Sequence, residues 1–190
     1  MKKIVMVDGN NLLFRSYYAT AYTGNFMKNS KGFPTNGLFG FVNMINKIIN
    51  EEKPEYMVVA FDIGKTFRHD LCETYKVGRI EMPDDLRLQF PIAKEIITNM
   101  GLKYLEIDNY EADDIIGYFS DFCDKNDQYN GLIISSDKDL LQLISNQVEI
   151  KLLKQKGHIR YDLNKFIEEY QIKPENIVDL KALQGDPSDN

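Results

Sequence analysis

Nine carboxylates are placed where a phosphodiester-cleaving metal centre would need them. Asp8 follows the apolar run Ile4-Val5-Met6-Val7, and Asp62 follows Met57-Val58-Val59-Ala60-Phe61. Asp137 and Asp139 follow Leu132-Ile133-Ile134-Ser135-Ser136. Glu111, Asp113 and Asp114 open a helical stretch in Tyr-Glu-Ala-Asp-Asp, and Asp186 and Asp189 stand in the final Gly-Asp-Pro-Ser-Asp-Asn. Three strand-like runs that each lead into aspartate gather negative charge at one sheet edge. A Mg²⁺ ion takes hard oxygen ligands, commonly one or two carboxylates with several waters. Two such ions about 3.5–4 Å apart clamp the attacking and leaving oxygens of an in-line phosphoryl displacement. Nothing else in the chain competes for that role: there is no complete Gly-x-x-x-x-Gly-Lys-Ser/Thr phosphate loop and no Gly-x-Ser-x-Gly elbow. Without metal the pocket should cost the fold stability, because close carboxylates raise one another's pKa, and metal bound to the folded state should restore it.

Each acid also has a plain structural use. Glu111, Asp113 and Asp114 suit a helix N-terminus, where negative charge meets the positive dipole end, and for that trio alone cap and site weigh equally. Asp137 could cap a helix beginning at Lys138. Asp8 before Gly9-Asn10, Asp62 before Ile63-Gly64, and Asp186 and Asp189 all suit turns. Singly these readings hold. Together they require nine coincidences, and the cluster outweighs them.

The elements that must position these acids alternate between strand and helix patterns. Residues 3–7, 56–61, 103–107 and 132–136 read as strands, and 147–153 with 158–161 as a hairpin around Lys156-Gly157. Residues 37–51 and 111–124 read as helices, as does the span from Pro83 to Met100, with Gly101 as its stop. Two short helices are expected at about 163–170 and 175–184. The alternation predicts an α/β fold, with a mostly parallel sheet covered on both faces. Ligands bind such sheets beyond the carboxyl ends of the strands, where Asp8, Asp62 and Asp137 fall. Two stretches break the pattern: 22–36, rich in Gly, Asn and Ser, and 62–87, where Lys65, Arg68, His69, Lys76, Arg79 and Arg87 interleave with Phe67 and Tyr75. Long irregular segments in compact domains are usually functional or disordered, and both read as substrate-facing. Charge for phosphates beside rings for bases is how single strands are held. His69 and His158 read as structural or surface residues.

Composition sets the bounds. The 190 residues, 43% apolar and 12% aromatic, make one globular domain with a core. No apolar run approaches the roughly 20 residues of a membrane span, and the N-terminus does not read as a signal peptide. Cys72 and Cys123 lack metal-ligand spacing and read as reduced thiols of a cytosolic protein. The net charge of −6 looks unsuited to a polyanion, but setting aside the nine acids leaves 20 against 23 bases. The acidity is concentrated in the site, and metal ions there would bridge it to phosphates.

Taken together, Val-Asp-Gly-Asn at 7–10 with Phe14-Arg15, Ala-Phe-Asp at 60–62, Thr-Phe-Arg-His at 66–69, Tyr-Lys-x-x-Arg at 75–79, Tyr-Glu-Ala-Asp-Asp at 110–114, Asp137-Lys-Asp139-Leu and Gly-Asp-x-x-Asp-Asn at 185–190 resemble the 5′-nuclease (flap endonuclease) family. The likeness is to the form fused to the N-terminus of bacterial DNA polymerase I, and it runs in order through the whole chain. It implies a PIN-like α/β fold with a basic arch-like insert, and Mg²⁺- or Mn²⁺-dependent cleavage of DNA near a 5′ flap, nick or recessed 5′ end. By match of motif, Asp8, Asp62, Glu111 and Asp113 would hold the first metal, and Asp114, Asp137, Asp139, Asp186 and Asp189 the second. Lys76 and Arg79 would act on the scissile phosphate alongside the catalytic acids Asp113 and Asp137. Arg15 and Arg68 would contact phosphates, and Tyr75 could stack on a base. The resemblance further implies a cytoplasmic, nucleoid-associated bacterial protein serving replication and repair, with a DNA polymerase attached or separate; a monomer is the default expectation. Residues 1–190 are expected to be the catalytic domain, ending before the helix-hairpin-helix module that follows in the family. Two other readings stay open: a PIN-type ribonuclease, and a DNA-binding form with weak or no activity. A haloacid-dehalogenase-type phosphatase fits poorly, because Asn10 stands where that chemistry wants a second aspartate.

Overall fold

The computed structural model describes residues 1–21, 27–78 and 81–185. In chain order the elements are β1 (Lys2–Asp8), α1 (Gly9–Ala21), α2 (Asn36–Glu52), β2 (Tyr56–Ala60), α3 (Phe67–Leu71), α4 (Asp84–Arg87), α5 (Gln89–Asn99) and β3 (Lys103–Leu105). Then come α6 (Ala112–Asp124), β4 (Tyr129–Ser135), β5 (Val148–Leu153), β6 (His158–Tyr161), α7 (Leu163–Tyr170) and α8 (Ile177–Gln184), with a 3₁₀ turn at Asp139–Leu143. The strands form one six-stranded sheet in the order β3-β2-β1-β4-β5-β6, parallel except for β6.

Strand β1 shows why the sheet is buried on both sides. Ile4 and Met6 enter one core with Ile116, Ile133, Ile150 and Phe166. Val5 and Val7 enter the other with Leu13, Phe41, Ile45, Phe61 and Ile97. Alternate side chains face opposite layers, and helices cover both, so the strand reads as a continuous apolar run. Each such side chain stabilises the fold by about 1.5–3 kcal/mol.

The chain winds outward from β1 to β2 and β3, then returns to place β4 on the other side. That reversal opens a crevice outside the carboxyl ends of β1 and β4, the expected ligand site in such sheets. Register aligns the edge: Asp8 lies opposite Ala60, and Val7 opposite Ile134. Asp62 and Asp137 therefore leave their strands at nearly the same level as Asp8.

Three local results differ from the sequence reading. Helix α1 begins directly after Asp8 and was not anticipated; it packs tightly, and a Cβ on Gly9 would stand 2.7 Å from the Phe61 ring and 2.8 Å from the Ala60 carbonyl oxygen. The single helix expected from Pro83 to Met100 is divided at Leu88. Pro91 explains the division, since it has no N–H for the Arg87 carbonyl and its ring crowds that group. Gly101, in the left-handed region at φ 76°, does end α5. Within the stretch read as irregular, Thr66 starts the short helix α3, its backbone N–H donating to His69 Nδ1 at 3.1 Å.

At the sheet edge away from Asp8, charge is buried in pairs. Lys151 on β5 donates to Glu51 at 2.8 Å and Glu52 at 2.9 Å, both at the end of α2. Arg160 on β6 reaches Glu52 at 3.1 Å, and Lys3 donates to the Glu52 carbonyl oxygen at 2.8 Å. This network ties α2, the β5–β6 hairpin and the start of β1 together. Among the described residues both cysteines are free thiols, and no helix is long and apolar enough to cross a membrane.

Candidate active site

Each acid at the carboxyl edge is aimed by the backbone of a neighbouring element. Asp8 Oδ1 accepts from the Asn11 N–H at 2.9 Å, closing the first turn of α1, and its Oδ2 accepts from Ser135 Oγ at 2.9 Å. Asn11 Oδ1 in turn accepts from the Ser136 N–H and hydroxyl at 2.9 and 2.7 Å, so the turn after β1 is stitched to the end of β4. Asp62 exchanges hydrogen bonds with Asn10 at 3.1 Å in both directions, and its Oδ1 accepts from Ala112 N–H at 2.7 Å. That last bond joins the end of β2 to the start of α6. Asp137 Oδ1 accepts from the Asp139 N–H at 2.8 Å.

At the first turn of α6, cap and site coincide. Asp114 Oδ2 accepts from the Glu111 N–H at 2.9 Å, and both Asp114 oxygens take the Arg68 guanidinium, each at 2.7 Å. Arg68 also lies over the Phe67 ring, 4.6 Å from its centroid. Glu111 accepts from Lys76 Nζ at 2.8 Å and from the Tyr75 hydroxyl at 3.0 Å. Lys76 is held in the left-handed region at φ 60°, an unusual conformation for a side-chain-bearing residue and one found at functional sites. A cavity of about 360 Å³ opens between Arg68, Tyr75, Glu111, Asp113, Asp114 and Asp139.

The acids divide into two electrostatic classes. Burial, with the charges of Asp8, Asp137, Asp62 and Glu111, pushes Asp113 up to about 8. Burial likewise raises Asp8 to about 6, against hydrogen bonds from Asn11 and Ser135, with Asp62 and Asp137 adding to the rise. Asp114 is the reverse case: the Arg68 fork holds it below the ordinary carboxylate range. Burial alone would raise Glu111, but Lys76, Tyr75 and Arg68 together hold it down. Asp139 is paired with Lys181 of α8. Inner acids thus repel one another, while outer acids are neutralised by this chain's own cations.

Such a donor set, all carboxylate oxygen and mutually repelling at its centre, fits a hard divalent cation. As the side chains stand, no three His, Cys, Asp or Glu groups among the described residues form a ready cage for an ion. The hydrogen bonds supply the reason: Asp62, Asp114, Glu111 and Asp139 turn oxygens toward internal donors.

Of the residues singled out by sequence, the structure gathers Asp8, Asp62, Glu111, Asp113, Asp114, Asp137 and Asp139 around the crevice. Asp186, Asp189 and Arg79 lie outside the described residues. Arg15 points elsewhere, donating to the Lys154 carbonyl oxygen on the β5–β6 hairpin. His69 caps α3, in keeping with a structural part. Sequence reasoning missed Asn10, Asn11, Ser135, Ser136 and Lys181. The first four had a signal, being polar residues clustered beside strand-ending aspartates; Lys181 had none.

Comparison with known proteins places these features in a wider group. The family model described as 5′-3′ exonuclease, N-terminal resolvase-like domain, matches residues 3–171. The chain is 42% identical over 193 residues to DNA polymerase I of Bacillus caldotenax, covering 100% of the chain and 21% of that protein. It is 40% identical over 193 residues to a 5′-3′ exonuclease of Bacillus subtilis strain 168, covering 99% of the chain and 64% of that protein. It therefore spans about a fifth of the polymerase and under two thirds of the separate exonuclease. Among solved structures, bacteriophage T5 5′-exonuclease with bound zinc superposes at a TM-score of 0.72 and 24% identity, over 100% of this chain and 69% of that one. The T5 flap endonuclease, in a pseudo-enzyme-product complex with DNA and metal ions, gives 0.70 and 23%, over 100% and 68%. These two likenesses show a shared fold.

Proposed function

The chain belongs to the family of the 5′-3′ exonuclease N-terminal, resolvase-like domain, and from that membership we propose that it is a structure-specific 5′-3′ exonuclease and flap endonuclease, hydrolysing DNA in replication and repair. The observation that carries the reading is the convergence of Asp8, Asp62, Asp113 and Asp137 on one crevice, where burial, with the charges of Asp8, Asp137 and Asp62 added, raises Asp113 to about 8.

Asp8, Asp62, Glu111 and Asp113 would hold one divalent cation, and Asp114, Asp137 and Asp139, with Asp186 and Asp189, a second. Mg²⁺ or Mn²⁺ bound there would supply Lewis-acid polarisation of the phosphodiester and of its attacking water. The protein's own part is positioning. Asn10, Asn11 and Ser135 fix the rotamers of Asp62 and Asp8, so the oxygens are set before substrate arrives. Lys76, with Arg79, would neutralise the scissile phosphate, and Lys76 already stands at the rim on Glu111. Arg68 and Arg15 would meet flanking phosphates, Arg68 after leaving Asp114 and Arg15 after leaving the Lys154 carbonyl oxygen. Tyr75, whose ring lies beside His69 at 5.1 Å, would stack on a base. The partner is DNA with a 5′ flap, nick or recessed end, and the polymerase relatives point to a polymerase working beside this domain.

The test is cleavage of a 5′-labelled flap duplex with Mg²⁺ or Mn²⁺, beside EDTA, an RNA flap of the same sequence and the Asp137→Ala variant. Metal-dependent release of short 5′ products from DNA, lost in the variant, is expected. Folded protein that cuts neither substrate, or cuts only RNA, overturns the reading.

A further inference from the structure

Among the described residues, one cation touches a proposed metal ligand without belonging to the basic 62–87 stretch: Lys181. It projects from α8, the last described helix, and its Nζ contacts Asp139 Oδ1. The contact lies between two neighbouring cavities: Asp139 lines the one that holds Arg68 and Glu111, and Lys181 lines the other, with Asp137 and Asn11. Much of both side chains is open to solvent, 30% for Lys181 and 46% for Asp139, while the contacted Oδ1 is itself covered. Ion pairs of that kind are weak and exchange readily.

Resting on the reading above, we propose that Lys181 is the counterion a second divalent cation must displace, and that it sets the gap in affinity between the two metals. Asp8, Asp62 and Asp137 leave their strands side by side at one sheet edge, and α6 starts on Asp62, so like charges gather there and the first ion enters where it relieves the most repulsion. A second ion seeking Asp139 meets an oxygen already held by a cation. It must move the ammonium aside and then bind a dication beside a unit positive charge. Binding is therefore ordered, inner site first. The ammonium released from Asp139 stays tethered near the crevice on α8, where an incoming phosphate offers it a new partner. Loading of the weaker site and arrival of substrate then favour each other, because both draw Lys181 off Asp139.

The experiment counts Mn²⁺ ions by isothermal titration and by the loss of the free-Mn²⁺ electron paramagnetic resonance signal, without DNA. Wild type is compared with Lys181→Gln, Lys181→Arg, Asp139→Asn and the Lys181→Gln/Asp139→Asn double variant. The expected result is that Lys181→Gln tightens the weaker class by about ten-fold and leaves the tighter class alone, from removal of one charge near a dication at the solvent edge. Lys181→Arg should match wild type, and the double variant should lose the gain. If wild type shows only one class, a second class appearing in Lys181→Gln supports the inference. A weaker class unchanged or loosened in Lys181→Gln overturns it, as does a gain that survives in the double variant. Those failures leave the nuclease reading standing, because the tight class is still seen. No Mn²⁺ bound in any variant overturns both.

Discussion

Replacing Asp113 with Asn is expected to stabilise the metal-free protein, and to do so mainly above acidic pH. Asp113 is pushed from 3.8 to about 8 in the fold by burial and by Asp8, Asp137 and Asp62. Between those values the unfolded chain has lost the proton and the folded chain retains it. The folded state then binds more protons, so wild-type stability falls as pH rises from about 4 to about 8 and levels beyond. Each unit is worth about 1.4 kcal/mol, so the shift taken alone amounts to about 6 kcal/mol. Burial is the largest cause and also weighs on a neutral amide, and the repulsive part is shared with Asp8, so about half, or about 3 kcal/mol, is expected to be recovered by the Asn variant. For a chain of this length that is about 6–12 °C in Tm. Thermal unfolding in EDTA should therefore show the Asn variant melting well above wild type at about pH 8.5, with a smaller gap at about pH 5. Adding Mn²⁺ should reverse the order, since wild type alone keeps the full ligand set. An Asn variant that melts lower in EDTA at the higher pH, or a gap that does not change with pH, would refute the reasoning.

Three other substitutions test separate parts of the structure. Gly9→Ala brings a Cβ within 2.8 Å of the Ala60 carbonyl oxygen, and it should lower stability by about 1–3 kcal/mol in urea with an unchanged m-value. Arg68→Lys keeps the charge but loses the two-pronged grip on Asp114. Its global stability should fall by less than about 1 kcal/mol, while limited proteolysis between 66 and 78 speeds up. Lys151→Met removes a cation from Glu51 and Glu52 but leaves Glu52 with Arg160 and Lys3 and Glu51 with Lys47, so a loss of about 2 kcal/mol is expected by urea denaturation. Flap cleavage at ambient temperature should be unchanged, and a slower rate would show that this edge of the sheet communicates with the site.

The strands and the acids were legible in the sequence for the same physical reason. A parallel strand buried on both faces must be apolar throughout, so Asp8, Asp62 and Asp137 mark where the apolar runs stop. Helix α1 was not legible because Gly9, Asn10 and Asn11 read as turn residues; what makes them helical is Asp8 capping the turn and α2 packing against it. Pro91 did announce the break at Leu88, yet Pro83 as a first-turn residue gave the longer helix an equally good start. The basic side chains were the least legible. Arg68, Lys76 and Lys181 could be named as charges, but their partners Asp114, Glu111 and Asp139 lie 46, 35 and 42 positions away. Spacing along a chain carries no information about pairs that distant.

The oxygens of Asp8, Asp62 and Asp114 each close the first turn of a helix, on Asn11, Ala112 and Glu111 respectively. An alanine at any of these positions is two experiments performed at once, because it leaves an amide without its acceptor at a cost of about 1 kcal/mol while also removing charge from the crevice. Asparagine separates them, since it keeps the acceptor and drops the charge. The same overlap bears on descent. A lineage that no longer needed to cut DNA would still need those helix starts, so relaxed selection on the chemistry would not free the positions to drift. Asn or Ser should settle there, and a catalytically silent descendant would still resemble an active one at these three sites.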